Sequence, residues 1–391
     1  MGGEQSKRKG IAPESFRVAY PLSEGSYGTI WKVTLRDTKE EFSMKSLPLS
    51  IVAKEKLMDN LLLEREIMLK IGKSHPFITS LSYAFVSTHA IHFIMPKQSK
   101  GSLFTLLRNR PEPFSEAQAQ FYMAEVVLAL AALHSNNYVY RDLKLENVCL
   151  TPDGHIRLHD FGFSRSATPP LKRVHSFSGP NIYISPEILL DEGEGHSFSV
   201  DWWGLGIFFH LLLTQTAPFW AEKNEELFYL IKEGEFPDLK QHCLSDSALS
   251  LLSELLTRNP KKRLGSVPPI AYQTEKDTEG DDSNPKGAKY VQQHPFFQGL
   301  DWDLILEKKF PPPLIPSTLR TKEQINSPPP FSLNGPPLTP EFETYLRSYE
   351  GMFHYDSVAE ERERKEKEEK EREEKEKQEK EEEAKNKSSK Q

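Results

Sequence analysis

Short apolar-rich runs dominate the first hundred positions of the chain. Trp31-Lys32-Val33, Phe42-Ser43-Met44-Lys45 and Ile91-His92-Phe93-Ile94-Met95 read as strands. A longer stretch, near residues 57–71, reads as a helix. Further on, residues 114–135 and 249–258 set their apolar residues at helical spacing. The pattern predicts an α+β, bilobal chain. Residues 16–95 form a small strand-rich lobe with one main helix, and residues 99–297 form a larger helical lobe. Residues 266–289, rich in Pro, Gly, Asp and Glu, are expected to be an extended, disordered insertion. Residues 1–15 are a tail, 298–358 an extension, and 359–391 are almost wholly Glu, Lys and Arg. Pairs such as Glu361 and Lys365 stand four apart there, and no apolar heptad accompanies them. A solvated helix or a disordered tail follows, rather than a coiled coil.

Composition removes several alternatives. The 391 residues carry a net charge of −7, so no global basic field points to nucleic acid. Hydrophobic residues make up 37% and aromatic residues 10%, enough for a sizeable core. The two cysteines, Cys149 and Cys243, imply a reducing compartment and no disulfide framework. No apolar run reaches the roughly 20 residues of a membrane span, and the polar start is not a secretory signal. A cytoplasmic monomer is expected. Met1-Gly2-Gly3-Glu4-Gln5-Ser6 fits the myristoylation pattern on Gly2. Lys7-Arg8-Lys9 adds a small basic patch, so reversible membrane contact is the expectation.

The densest chemistry lies in Tyr140-Arg141-Asp142-Leu143-Lys144-Leu145-Glu146-Asn147, followed shortly by Asp160-Phe161-Gly162. An acid, a lysine, an asparagine and a second acid at this spacing resemble the protein kinase signature, with Tyr140 where histidine is usual. Phosphoryl transfer needs positioning and charge neutralisation more than covalent help. The resemblance implies that Asp142 accepts or orients the proton of a substrate hydroxyl. Lys144 neutralises the moving phosphoryl group, and Asn147 and Asp160 hold Mg2+. Upstream, Leu22-Ser23-Glu24-Gly25-Ser26-Tyr27-Gly28-Thr29-Ile30 is similar to the glycine-rich loop that covers the ATP phosphates, with Ser23 at the first glycine position. Lys45 is then the phosphate-binding lysine. Glu64 is its expected ion-pair partner in preference to Glu66. Met95 lies at the back of an adenine pocket and Cys149 beneath it. Pro96-Lys97-Gln98 would be the hinge, in which Pro96 has no N–H to donate.

Within the kinases the chain resembles the AGC serine/threonine group, near the ribosomal protein S6 kinases. The residues concerned are His75-Pro76-Phe77-Ile78, Leu81, Tyr83-Ala84-Phe85, Gly101-Ser102-Leu103-Phe104, His294-Pro295-Phe296-Phe297, Trp302 and Pro311-Pro312-Pro313. Lys144 favours serine/threonine acceptors. The resemblance further implies a buried ion pair of Glu187 with Arg263, and Asp201 bracing the Tyr140–Asn147 segment. Ser176 stands at the activation-segment phosphosite of an upstream kinase, with Arg141 and Arg165 as the receiving cations. Thr339 resembles a turn-motif phosphosite. Residues 349–355 resemble a hydrophobic motif that docks on the small lobe through Phe353, with His354 where serine or threonine is usual. Other departures are Pro180 for a threonine that contacts the catalytic acid and lysine, Ser102 for an acid, His159 and Cys149. A protein-substrate kinase is the main reading. A pseudokinase scaffold is the alternative that Ser23 and Pro180 raise.

Overall fold

The computed structural model describes residues 11, 13–25, 27–97, 101–167, 181–190, 197–267, 273, 286–314, 353, 355, 356 and 360. In the small lobe, β1 (Phe16–Glu24), β2 (Thr29–Leu35) and β3 (Glu41–Pro48) run as an antiparallel meander. Helices α1 (Leu49–Lys54) and α2 (Met58–Lys70) follow, then β4 (Tyr83–Val86) and β5 (Ala90–Pro96). The large lobe continues with α3 (Leu103–Arg108), α4 (Glu116–Ser135), β6 (Tyr138–Val139), β7 (Val148–Leu150), β8 (Ile156–Leu158) and β9 (Arg165–Ser166). It ends with α5 (Pro186–Leu190), α6 (Ser199–Thr214), α7 (Asn224–Glu233), α8 (Asp246–Leu255), α9 (Ala288–Gln292) and α10 (Trp302–Leu306). A last strand, β10 (Tyr355–Asp356), returns to the small lobe and pairs antiparallel with β4. The six-stranded sheet therefore has the order β1-β2-β3-β5-β4-β10. Two small ribbons, β6 with β9 and β7 with β8, carry the loops of the site.

Local chemistry sets the element ends. Helix α4 starts at Glu116, not at 114, because Ser115 caps it. The Ser115 hydroxyl accepts from the Gln118 N–H at 3.3 Å, and Gln118 Oε1 accepts from the Ser115 N–H at 3.2 Å. Ser245 likewise accepts from the Ala248 N–H at 3.2 Å, so α8 runs over 246–255 rather than the predicted 249–258. The small lobe holds, beside the one main helix predicted, a short helix that was not. Helix α1 is six residues long and buries only Leu49 and Val52, too brief a stretch for a period to emerge. The predicted insertion is narrower than 266–289 at both ends. Ser266 and Val267 are buried, and α9 begins at Ala288. The charged tail from 359 lies outside the described residues except for Glu360, which pairs with Lys73 at 2.9 Å.

All 16 residues of α6 are buried, as a helix apolar on every side must be. Most other buried apolar side chains join one core around it. A satellite core in the small lobe stacks Phe16 against Phe85 and edge-on against Phe42 and Tyr83. Phe353 is fully buried in the main core and stacks on Phe93 of β5, with centroids 6.2 Å apart. The Glu187–Arg263 pair is present. Arg263, 0% exposed, donates to both Glu187 oxygens at 2.6 and 2.9 Å and to the carbonyls of Ser199, Thr257 and Arg258. Removing one partner of such a pair strands a buried charge. Arg263→Ala is expected to cost about 3–5 kcal/mol, read as a lower urea midpoint at unchanged m-value.

Candidate active site

Asp201, in the first turn of α6, organises the site from below. Its carboxylate accepts from the backbone N–H of Tyr140 at 2.9 Å and of Arg141 at 2.7 Å, and from His134 Nε2 at 2.8 Å. These bonds hold Arg141 at φ 69°, in the left-handed region that non-glycine residues seldom occupy. The bracing role expected of Asp201 is what the geometry gives.

The loop beyond it gathers three candidate residues. Lys144 Nζ lies 2.9 and 2.8 Å from the two Asp142 oxygens. Asn147 Nδ2 donates to the Asp142 carbonyl at 2.9 Å and to its Oδ2 at 2.7 Å. Burial pushes the Asp142 carboxyl up and the neighbouring Asp160 adds to this, while Lys144 and Asn147 oppose it. The result lies at about 6.

Across the cleft, Lys45 on β3 meets Glu64, the partner expected of it, and also Asp160. Its Nζ is 2.7 and 2.9 Å from the Glu64 oxygens and 2.9 Å from Asp160 Oδ1. Burial alone would lower the Lys45 pKa. Asp160 and Glu64 outweigh it and hold the ammonium charged. Burial raises Asp160, but Lys45 outweighs that and keeps its pKa below the usual carboxylate value. Glu66, the competing choice, instead accepts from the Tyr138 hydroxyl at 2.8 Å, one face round the helix. Asp160 sits at φ 58° and its side chain is 43% exposed to the cleft.

The glycine-rich loop caps this cleft. Leu22, Ser23 and Glu24 end β1, and Thr29 and Ile30 begin β2. Ser23 pairs with Ile30 in the ladder, and its φ is not positive, so that position needs no glycine. Gly28 does: a Cβ there would lie 2.3 Å from the Ser46 carbonyl oxygen. The Gly25 N–H donates to the Gly28 carbonyl at 2.9 Å, closing the turn. The Tyr27 ring lies 6.4 Å from that of Phe163, next to Gly162. Met95 is buried on β5, paired with Ser43. Cys149 is buried on β7, and burial pushes its thiol up to about 12, so it serves as a neutral apolar lining. His159 is also neutral. Burial pushes it down to about 3, and its Nδ1 lies 2.6 Å from the Thr79 hydroxyl. Ser26, Gln98, Ser176, Pro180, Thr339, His354, Gly2 and Lys7–Lys9 lie outside the described residues.

The oxygen donors fit a magnesium ion. Asp160 offers an exposed carboxylate and Asn147 an amide, the hard donors magnesium prefers, and it retains waters beyond one or two protein ligands. The described residues contain no cluster of three or more His, Cys, Asp or Glu able to hold a metal. One contact escaped the reading of the sequence: Asn60 on α2 donates to the Gly162 carbonyl at 2.9 Å. The available signal was its spacing, four residues before Glu64 on the same helix face.

The family model for the protein kinase domain matches residues 16–297. The RAC family serine/threonine-protein kinase homolog of Dictyostelium discoideum is 33% identical over 86% of this chain and 70% of its own length. Serine/threonine-protein kinase SCH9 of Saccharomyces cerevisiae is 35% identical over 84% of this chain, which spans 37% of that relative. Ribosomal protein S6 kinase alpha-2 of Mus musculus is 34% identical over 84% of this chain, which spans 42% of it.

Asp142 reports on the arrangement directly. A carboxyl-carbon NMR titration should place its midpoint near pH 6. Lys144→Ala should move the midpoint up, since Lys144 stabilises the anion, and Asp160→Asn should move it down, since the Asp160 charge opposes it. A midpoint near the ordinary Asp value would contradict the buried geometry.

Proposed function

The chain belongs to the protein kinase family, with relatives in the AGC group, and on that premise we propose that it transfers the γ-phosphate of ATP to serine or threonine hydroxyls of protein substrates. The observation that carries this is the contact of Lys45 with Glu64 and Asp160, facing Asp142 bonded to Lys144 and Asn147. Each group has one task. Lys45, held charged by two carboxylates, binds phosphate oxygens. Asp142 receives or orients the hydroxyl proton, and Lys144 spreads charge off the transferring group. Magnesium, when bound through Asp160 and Asn147, supplies neutralisation of phosphate charge. A scaffold without activity would be favoured by the loss of one of these groups, and Lys45, Glu64, Asp142, Lys144, Asn147 and Asp160 are all present. Ser23, one of the two departures that raised that alternative, pairs with Ile30 in the β1–β2 ladder, just past a register shift at Pro21–Ser23; Pro180, the other, lies outside the described residues.

Regulation and location complete the reading. An upstream kinase modifies Ser176, and its phosphate pairs with Arg141 and Arg165. Burial and the Arg165 charge already hold the Arg141 guanidinium down to about 10, and its Nε has no hydrogen-bond partner among the described residues. An arriving phosphate would relieve both. Thr339 is a second phosphosite. Myristoyl-Gly2 with Lys7–Lys9 gives reversible contact of a cytoplasmic monomer with anionic membrane.

Labelled ATP, magnesium and a mixed serine/threonine peptide library test the activity. Asp142→Asn and Lys45→Met should each remove transfer, by about 10³-fold or more, and Lys45→Met should also weaken nucleotide binding. Transfer that persists in the Asp142→Asn protein, or is missing from the wild type with Ser176 phosphorylated and ATP bound, would overturn the reading. Pro180→Thr supplies the hydroxyl that the family resemblance implies at this position, beside the catalytic acid and lysine. It should raise the rate if acceptor positioning limits it, seen as a higher kcat at saturating peptide.

A further inference from the structure

Helix α2 holds the loop that carries Asp160 through two side chains. Glu64 bonds Lys45, which in turn bonds Asp160, and the nearby Phe161 backbone N–H favours the Glu64 anion. One turn earlier, Asn60 donates from Nδ2 to the next carbonyl, that of Gly162, at 2.9 Å. Residues four apart lie one above the other on a helix face, so the two side chains act side by side. A carbonyl can only accept, which fixes the Asn60 amide with its NH2 toward the loop. Gly162 packs in ordinary contact with both acids: a Cβ there would lie 3.4 Å from Asp160 Oδ1 and 3.8 Å from Glu64 Oε2. Asp160 itself is held at φ 58°. A non-glycine residue keeps that conformation only where its surroundings over-determine it. The neighbouring residue on α2, Asp59, places its charge near Arg165, one of the two cations expected to receive the Ser176 phosphate. Both contacts come from the protein's own side chains.

We propose that Asn60 is a positioning residue that keeps Asp160 in its transfer-competent place while Ser176 carries no phosphate. The proposal rests on the kinase reading given above. Glu64, through Lys45, holds the Asp160 carboxylate, and Asn60 holds the Gly162 carbonyl. Losing one hydrogen bond of ordinary strength shifts the balance between held and released loop by about five- to tenfold. The phosphate on Ser176 then adds to an arrangement that already exists, and does not create it.

The test uses the full chain with Ser176→Ala, so that no phosphate contributes, and adds Asn60→Asp, Asn60→Ala or Asn60→Gln. Asn60→Asp keeps the shape but loses the donor, and Asn60→Gln keeps the donor. Amide hydrogen exchange of residues 161–164, without nucleotide or magnesium, should run about five- to tenfold faster in the Asp and Ala variants than in the parent. Their kcat should fall as well, by the smaller factor that the lost held fraction sets, and Asn60→Gln should recover most of both. Exchange and kcat equal to the parent in a folded Asp or Ala variant would overturn the proposal. If only one of these two folds, it decides the question alone. A Ser176→Ala parent that transfers a hundredfold more slowly than the Ser176-phosphorylated enzyme would overturn the phosphate-independent part. If the phosphorylated wild type transfers nothing, the kinase reading fails, and the exchange rates still judge the tether.

Discussion

The catalytic segment depends on one buried carboxylate. Asp201 binds two consecutive backbone N–H groups, those of Tyr140 and Arg141, and so holds a left-handed residue immediately before Asp142. Such a conformation costs about 1–3 kcal/mol, and charge-assisted bonds to a buried acceptor are strong enough to offset it. Asp201 can do this because α6 is immobilised by burial along its whole length. The rigid helix fixes the carboxylate, the carboxylate fixes the loop, and the loop presents Asp142, Lys144 and Asn147 to the cleft.

The other half of the cleft is fixed by charge. Lys45 is tied to a helix through Glu64 and to the lower loop through Asp160, so the small and large lobes share one ammonium group. Tyr138, just ahead of the catalytic segment, also crosses between lobes to Glu66. Asp142 and Asp160 repel one another, and the lysines beside them divide the burden: Lys45 keeps Asp160 ionised, while Asp142 is left poised near neutrality. Two acids of one type thereby come to hold a proton with different ease.

Much of this was legible in the sequence, because the residues concerned are close together or paired by a recognisable motif. The 140–147 segment and Asp160 fall within about twenty positions, and Lys45, Glu64, Glu187, Arg263 and Asp201 took their expected partners. What was not legible has a physical reason in each case. A six-residue helix such as α1 shows no periodicity. Strand β10 is two residues long and pairs with β4 far away in sequence, a register no local pattern encodes. Asn60 was missed because a polar residue on a half-exposed helix turn looks solvated until the loop it touches is placed. Ser23 looked like a defect in a glycine loop, yet its φ is not positive and it pairs with Ile30 in the ladder, and the tight approach falls at Gly28.

Strand β10 also has a consequence for how molecules of this kind meet one another. In the order β1-β2-β3-β5-β4-β10 it covers what would otherwise be the open edge of β4. Open edges offer free N–H and C=O groups to any passing strand. Just ahead of β10, Phe353 fills a fully buried position beside Phe93. A chain shortened before residue 353 would expose both an unpaired edge and an apolar hollow, the combination that favours strand-to-strand aggregation. The extension thus protects the solubility of the small lobe.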